Sequence, residues 1–239
     1  MHRRPCIAGV MPGLLASLVA FWIILCWSRP VHSAMVGEPT ASGKPGQFRL
    51  ESEIDYASRD IDVGGSCCMR SETLRLLVKF SSLVHDRVEL FGRLGGVVLQ
   101  TLQVPASPDV KGSPALAGGG GFKITLYKEG SVGWGMGGQV VYDESKDSGQ
   151  SATLTWYEVD LFTGPTVTIR PGVDLYGGLL GSLVTGQLHG AGGSADLEQQ
   201  KPVGLFFGGQ VTITRSVFFG LEMRLINELS IASRAGVVF

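Results

Sequence analysis

The sequence predicts an all-β chain: an antiparallel up-and-down transmembrane β-barrel of about ten strands, with eight as the alternative. Three observations point there. Apolar and polar residues alternate with a period of two through most of the chain after residue 46, as in strands with one face in an apolar medium and one in a polar medium. The connections between these segments alternate between tight turns and long polar loops rich in Gly and Pro. The last eleven residues, Leu229 to Phe239, form one more such segment, with Leu229, Ile231, Ala235, Val237 and Phe239 on one parity. A final strand that closes a barrel against the first removes both sheet edges, which a membrane demands and a soluble fold does not.

A chain of 239 residues fits one barrel domain. Glycine is abundant, at 35 residues, and charged residues make up only 17%. No long acidic or basic block occurs, so composition gives no sign of a nucleic-acid partner.

Residues 1–33 read as a cleavable signal peptide. Arg3 and Arg4 precede an apolar run from Ile7 to Trp27, and Val31-His32-Ser33 supplies a cleavage-like tripeptide. A retained membrane helix is the competing reading, because the run approaches the ~20 residues needed to span. Pro12 and Gly13 inside it favour removal. A lipid-anchor signal at Cys26 is disfavoured by the bulky Leu25 before it. Removal takes three arginines and no acid, leaving 17 cations against 21 anions. Residues 34–46 then read as a flexible leader, small, polar and broken by proline. The barrel is expected over 47–239.

Within it, Phe48, Leu50, Ile54 and Tyr56 share the first apolar face. A loop from Ser58 to Glu72 carries Cys67 and Cys68, and the next segments center on Leu74–Phe80 and Val88–Val98. A Gly/Pro-rich loop, Gln100 to Gly121, leads to Phe122–Tyr127 and, after a tight turn, Val132–Tyr142. The polar stretch Asp143–Ser151 precedes Tyr157–Leu161. Thr163-Gly164-Pro165 is expected to turn the chain into Val167–Leu175. A long loop, Val184 to Pro202, separates this from Val203–Ile213, Val217–Leu225 and the closing strand. Segments of this length suit strands that cross an outer membrane at a tilt, with short turns on one side and longer loops on the other.

Two patterns bear on the choice between a barrel and a soluble two-sheet sandwich. With the N-terminus on the periplasmic side, Tyr56, Tyr142 and Tyr157 fall near the outer ends of apolar faces, and Phe48, Phe80, Trp134, Phe219 and Phe239 near the inner ends. Two aromatic rings are what a spanning barrel places at its two interfaces. The polar faces hold Arg49, Arg75, Lys79, Arg93, Lys123, Arg170, Arg224 and Arg234 against Glu51, Glu53, Asp55, Glu89, Glu158, Asp160, Asp174 and Glu222. A charge facing lipid at mid-membrane costs about 2–4 kcal/mol, so this balanced set is expected to point inward as a lumen ion network.

The cleavable signal and the whole of Gln47–Phe239 resemble the small outer-membrane β-barrel proteins of Gram-negative-type bacteria, the broad opacity-protein and OmpA/OmpX-like grouping. The most specific local feature is the closing strand, with Phe239 preceded by Val237, Ala235 and Ile231 at alternating positions. The resemblance implies location in the bacterial outer membrane with its lipid as surroundings. It also implies that Phe239 is the signal read by the barrel-assembly machinery.

Three classes of function follow. The first is a non-enzymatic barrel whose lumen is filled by ion pairs and whose extracellular loops are an interaction surface for envelope structure or adhesion. The second is a narrow, porin-like passage for ions or small solutes. The third is an outer-membrane enzyme, which the residues disfavour. After signal removal only His85 and His189 remain, His85 in a turn and His189 in a loop without a neighbouring acid or serine. No nucleophile elbow, phosphate loop or metal-ligand spacing occurs, so no catalytic, cofactor or metal residue is expected. Cys67 and Cys68 are candidates for a cross-link to another chain or for free thiols.

Overall fold

The computed structural model describes residues 34–63, 66–103, 110–146, 153–190 and 193–239. Residues 1–33, which contain the expected signal peptide, lie outside them. Among the described residues twelve strands are present: β1 (Phe48–Val63), β2 (Ser66–His85), β3 (Val88–Gln103), β4 (Val110–Gly112), β5 (Ala115–Glu129), β6 (Val132–Lys146), β7 (Thr153–Arg170), β8 (Val173–Gly190), β9 (Gly193–Gln199), β10 (Val203–Thr212), β11 (Val217–Leu225) and β12 (Leu229–Val238). Ten of them form a closed antiparallel wall in the order β1-β2-β3-β5-β6-β7-β8-β10-β11-β12, and β12 pairs back onto β1. Closure leaves no exposed edge, as a strand structure in lipid requires.

Both ends of the wall follow from local sequence. At one end, here the turn end, Asp86-Arg87, Gly130-Ser131 and Pro171-Gly172 join long strands in two residues. Gly130 and Gly172 supply the positive φ, +57° and +79°, that tight connections need. The opposite, hairpin end carries strand extensions where the sequence predicts loops. Ser58–Val63 and Ser66–Glu72, expected in a loop, are the paired ends of β1 and β2. Cys67 and Cys68 therefore belong to β2, and their side chains lie outside the described residues. Much of Gln100–Gly121 is β4 and the first half of β5, interrupted near Pro114, which lacks a donor for the ladder.

Thr163-Gly164-Pro165 is likewise not a turn. The chain runs straight through it in β7, and the β7–β8 ladder skips Gly164 and Pro165, the latter having no N–H to give, with a further irregularity between Thr168 and Arg170. The expected segment Val167–Leu175 straddles the real turn, so its halves belong to β7 and β8.

The expected loop Val184–Pro202 is a β8–β9 hairpin that reaches across to β1. Ile61–Val63 pair with Leu197–Gln199, above the span where Arg49–Ser58 pair with β12. Likewise β8 pairs with β10 through Val173–Gly181 and with β9 through Thr185–Gly190. A single strand thus stands at the hairpin end where three stand below. The ring has ten strands in its main section and eight at that rim, with β4 and β5 counted as one interrupted strand.

The outer surface is apolar. Leu94, Leu161 and Leu183 are 68%, 62% and 66% exposed, a pattern that needs lipid as surroundings. Phe48 and Phe80 stack at 5.5 Å near the turn end, and Tyr142 meets Tyr157 at 4.9 Å toward the other. From Phe48 to Tyr56 is about 27 Å of strand. Tilted by about 40°, this spans roughly 21 Å, close to the ~25 Å apolar band of such barrels. Beyond Tyr56 the outward positions become charged: Asp60 lies 3.9 Å from Arg70 and 4.0 Å from Lys201, and Asp62 accepts from Gln200 at 2.7 Å. The strands therefore continue past the apolar band into a polar medium.

Candidate functional site: the lumen and its N-terminal plug

The inward faces fill the lumen in layers. Nearest the turn end, Lys79 Nζ lies 3.3 Å from Glu51, Arg234 Nη1 lies 3.2 Å from the same carboxylate, and Lys123 lies 3.9 Å from Glu89. Arg49 is 3.8 Å from Glu51 and sits over the Phe218 ring at 4.4 Å. Higher up, Arg93 Nε lies 2.8 Å from Glu53, and Arg224 meets Glu222 at 3.1 Å, Glu228 at 3.3 Å and Asp160 at 3.6 Å. Above these, Arg75 lies 2.7 Å from Asp143, 3.2 Å from Glu158 and 4.0 Å from Asp55. Arg59 bridges Glu158 and Glu228 at 3.1 and 3.3 Å. Buried ions are tolerable only when paired and hydrogen-bonded in this way.

Fourteen of the sixteen residues read as an ion network from the sequence are buried on the inner face. The other two are placed differently. Arg170 ends β7 at the turn and is exposed, and Asp174, half-buried at the mouth, accepts from Thr168 Oγ1 at 2.6 Å. Sequence reasoning missed Arg59, Asp143 and Glu228, because all three fall in stretches read as connections. Arg59 keeps the parity of Asp55, and Asp143 that of Gln139, so extending the alternation finds both.

At the hairpin end the lumen becomes apolar. Ile61, Leu154, Trp156, Val184 and Leu197 pack together inside the ring, with Met69, Leu188 and Ala195 against them. Arg59 lies 5.5 Å from the Trp156 ring, joining this cap to the ion layer below.

The segment expected to be a flexible leader is the largest departure from the sequence reading. Ala34, Met35 and Val36 are almost fully buried, and Glu38 and Thr40 nearly so. From the turn end inward, Ser42 N–H donates to Glu89 at 3.2 Å, Ala41 N–H to Thr125 Oγ1 at 2.9 Å, and Thr40 Oγ1 to Thr166 Oγ1 at 3.1 Å. Glu222 accepts from the N–H groups of Gly37 and Val36. Arg93 then donates to the Met35 carbonyl, and Gln139 Nε2 to the Ala34 carbonyl at 3.1 Å. The segment is a plug that enters from the turn end with Ala34 deepest. Val36 adds an apolar contact, packing with Phe162, Tyr176, Leu180 and Phe206.

Glycines make the room. A Cβ on Gly135, an inward position of β6, would overlap the Pro39 carbonyl oxygen, and Gly37 itself has φ +75° with Arg234 Nη1 2.6 Å from where its Cβ would be. The leader gives no periodic signal because most of its bonds use backbone groups, which every residue carries. Beside the plug, at the turn end, a cavity of about 420 Å³ remains between Glu38, Ser42, Lys128, Thr168 and Gln210.

The comparisons with known proteins agree with this architecture. No protein-family model matches the chain, and no curated protein is similar to it at a significant level. Among solved structures, an outer-membrane channel from Pseudomonas putida F1 superposes with a TM-score of 0.50 at 12% identity, over 87% of this chain and all of that one. The chain folds as an outer-membrane β-barrel.

The outer-membrane protease OmpT from Escherichia coli gives a TM-score of 0.48 at 9% identity, over 84% of this chain and 98% of that one. Ail, the attachment invasion locus protein of Yersinia pestis, gives 0.37 at 11%, over 82% and 100%. The barrel places the two histidines of the described residues at opposite ends. His85 is exposed where β2 ends, and His189 is exposed in the β8–β9 hairpin opposite Ser194. Among the described residues no group of three or more His, Cys, Asp or Glu is arranged to hold a metal ion.

Proposed function

We propose that this protein is a sealed, non-enzymatic barrel of the bacterial outer membrane whose hairpin end serves as an interaction surface outside the cell, in envelope structure or adhesion. The observation that carries this reading is the filled lumen: a plug from the turn end, ion layers in the middle and an apolar cap at the far rim. Side chains and plug leave little of a narrow ring for water. The charged strand extensions above the apolar band, from Asp60 and Arg70 to Lys201, offer the surface. The plug then enters from the periplasmic side, the end at which Phe239 also lies.

A porin-like passage is the second reading, favoured by the cavity of about 420 Å³ at the mouth and by a plug held mainly through hydrogen bonds. Planar-bilayer recording on the purified, processed protein tests the choice. No steady current, together with reduced surface attachment of cells when Asp62, Glu72 and Glu198 are reversed to lysine, supports the sealed surface protein. A steady current from the unmodified protein overturns it in favour of the pore.

A further inference from the structure

The lumen is electrically stratified, and the plug matches the strata. Near the turn end the wall holds Arg49, Lys79, Lys123 and Arg234 against Glu51 and Glu89, an excess of cations. Toward the hairpin end Arg59, Arg75 and Arg224 face Asp55, Asp143, Glu158, Asp160 and Glu228, an excess of anions. The plug brings Glu38 to the cation-rich stratum and ends, at Ala34, against the anion-rich one. Gln139 Nε2 donates to the Ala34 carbonyl and, at 2.8 Å, to Asp160 Oδ2. Asp160 is fully buried with Arg224 Nη1 3.6 Å from its Oδ2, while its Oδ1 has no hydrogen-bond partner of good geometry. With five acids against three arginines in this stratum, a further cation at the plug's tip would find a partner there.

We propose that this further cation is the α-ammonium of Ala34, created when a signal peptidase hydrolyses the Ser33–Ala34 bond, and that it seats beside Asp160 as a lock for the plug. Water adds across the amide, leaving a carboxylate on Ser33 and, after protonation, an ammonium on Ala34. An uncleaved chain has a neutral amide nitrogen at that point. Processing therefore changes the charge of the lumen and secures the plug in one step. The inference rests on the expected removal of residues 1–33 and goes beyond the sealed-barrel reading.

Three measurements test it. N-terminal sequencing of protein from membranes should begin at Ala34; any other start overturns the premise while leaving the sealed barrel untouched. Chain beginning at Ala34 is then unfolded, its α-amine converted to a ketone by transamination, which spares lysines, and refolded. Its heat-modifiability midpoint should fall by about 5 °C relative to the untreated chain, the size of one charge-assisted hydrogen bond in a domain of this length. In Asp160→Asn the same treatment should have no further effect. An unchanged midpoint, or the full drop persisting in Asp160→Asn, overturns the proposal. Should that variant not refold, acylation of the α-amine decides: at least tenfold slower reaction in folded than in unfolded wild type supports a seated ammonium, and equal rates overturn it.

Discussion

Glu222 accepts the backbone N–H of Val36 at 2.8 Å and that of Gly37 at 2.6 Å. One carboxylate from the barrel wall thus holds two consecutive peptide groups of the plug. Bonds to a charged acceptor contribute about 1.5–3 kcal/mol each. Replacing Glu222 with Ala should therefore loosen the plug while the outer face is untouched. With Val36→Cys as reporter, a membrane-impermeant maleimide should label Glu222→Ala at least about a hundredfold faster than the Glu222 parent, since two such bonds total about 3 kcal/mol or more and each 1.4 kcal/mol is a factor of ten. Equal labelling would show that Glu222 does not hold the plug.

Gly135→Val tests the groove rather than the latch. The added side chain would occupy the place of Pro39, and the plug must leave or the β6 wall must bend. A steady bilayer current, absent from the parent, should appear, with the folded, heat-modifiable form still present. A silent, folded variant would mean that the wall side chains close the lumen without the plug.

Arg224 serves three acids at once, Asp160, Glu222 and Glu228. Arg224→Met leaves them buried without their shared cation, a loss of about 3–5 kcal/mol for a broken buried pair. The heat-modifiability midpoint should fall by roughly 10 °C. A smaller shift at low pH is expected, because protonated carboxyls no longer need the guanidinium.

Lipid contact predicts a contrast between two exposed positions. Leu161→Arg puts a cation on the mid-band outer face and should cost about 2–4 kcal/mol in folding into bilayers. Glu198→Arg, on β9 beyond the band, should be neutral within about 0.5 kcal/mol. Equal effects would contradict the position assigned to the membrane.

The terminal residue has a structural part to play. Phe239 N–H donates to the Phe48 carbonyl at 2.9 Å, extending the closing seam to the last residue. Deleting Phe239 should reduce the amount of barrel recovered in membranes severalfold. Unchanged membrane levels would count against a role in assembly.

The wall of this barrel is legible from alternation alone, because a period of two needs only Val, Ile and Leu facing lipid and polar groups facing in. Where the signal fails, the cause is physical. The strand extensions beyond the apolar band have water on their outer side, so Asp60, Asp62 and Glu72 read as loop. Gly164-Pro165 has the composition of a turn yet lies in β7, where Gly164 permits close approach of β8 and Pro165 merely omits a ladder bond. Leu77 and Phe91 face the lumen, where Phe91 lies beneath Lys79 and Arg93, so their hydrophobicity misstates their side. The plug is invisible for a different reason: it is bound mainly through carbonyl and amide groups that leave no trace in side-chain pattern.

The strand β9 also bears on how the ring can close. Joining β12 to β1 directly ties a loop of roughly 170 residues, from Ser58 to Leu229. Once Leu197–Gln199 lie on Ile61–Val63, the remaining loop to Leu229 is only about 30 residues. Chain entropy then opposes the last seam by about 1.5 kcal/mol less. With the single strand at the rim in place as a clasp, the two edges are held near each other and the final three strands have only a short gap to fill.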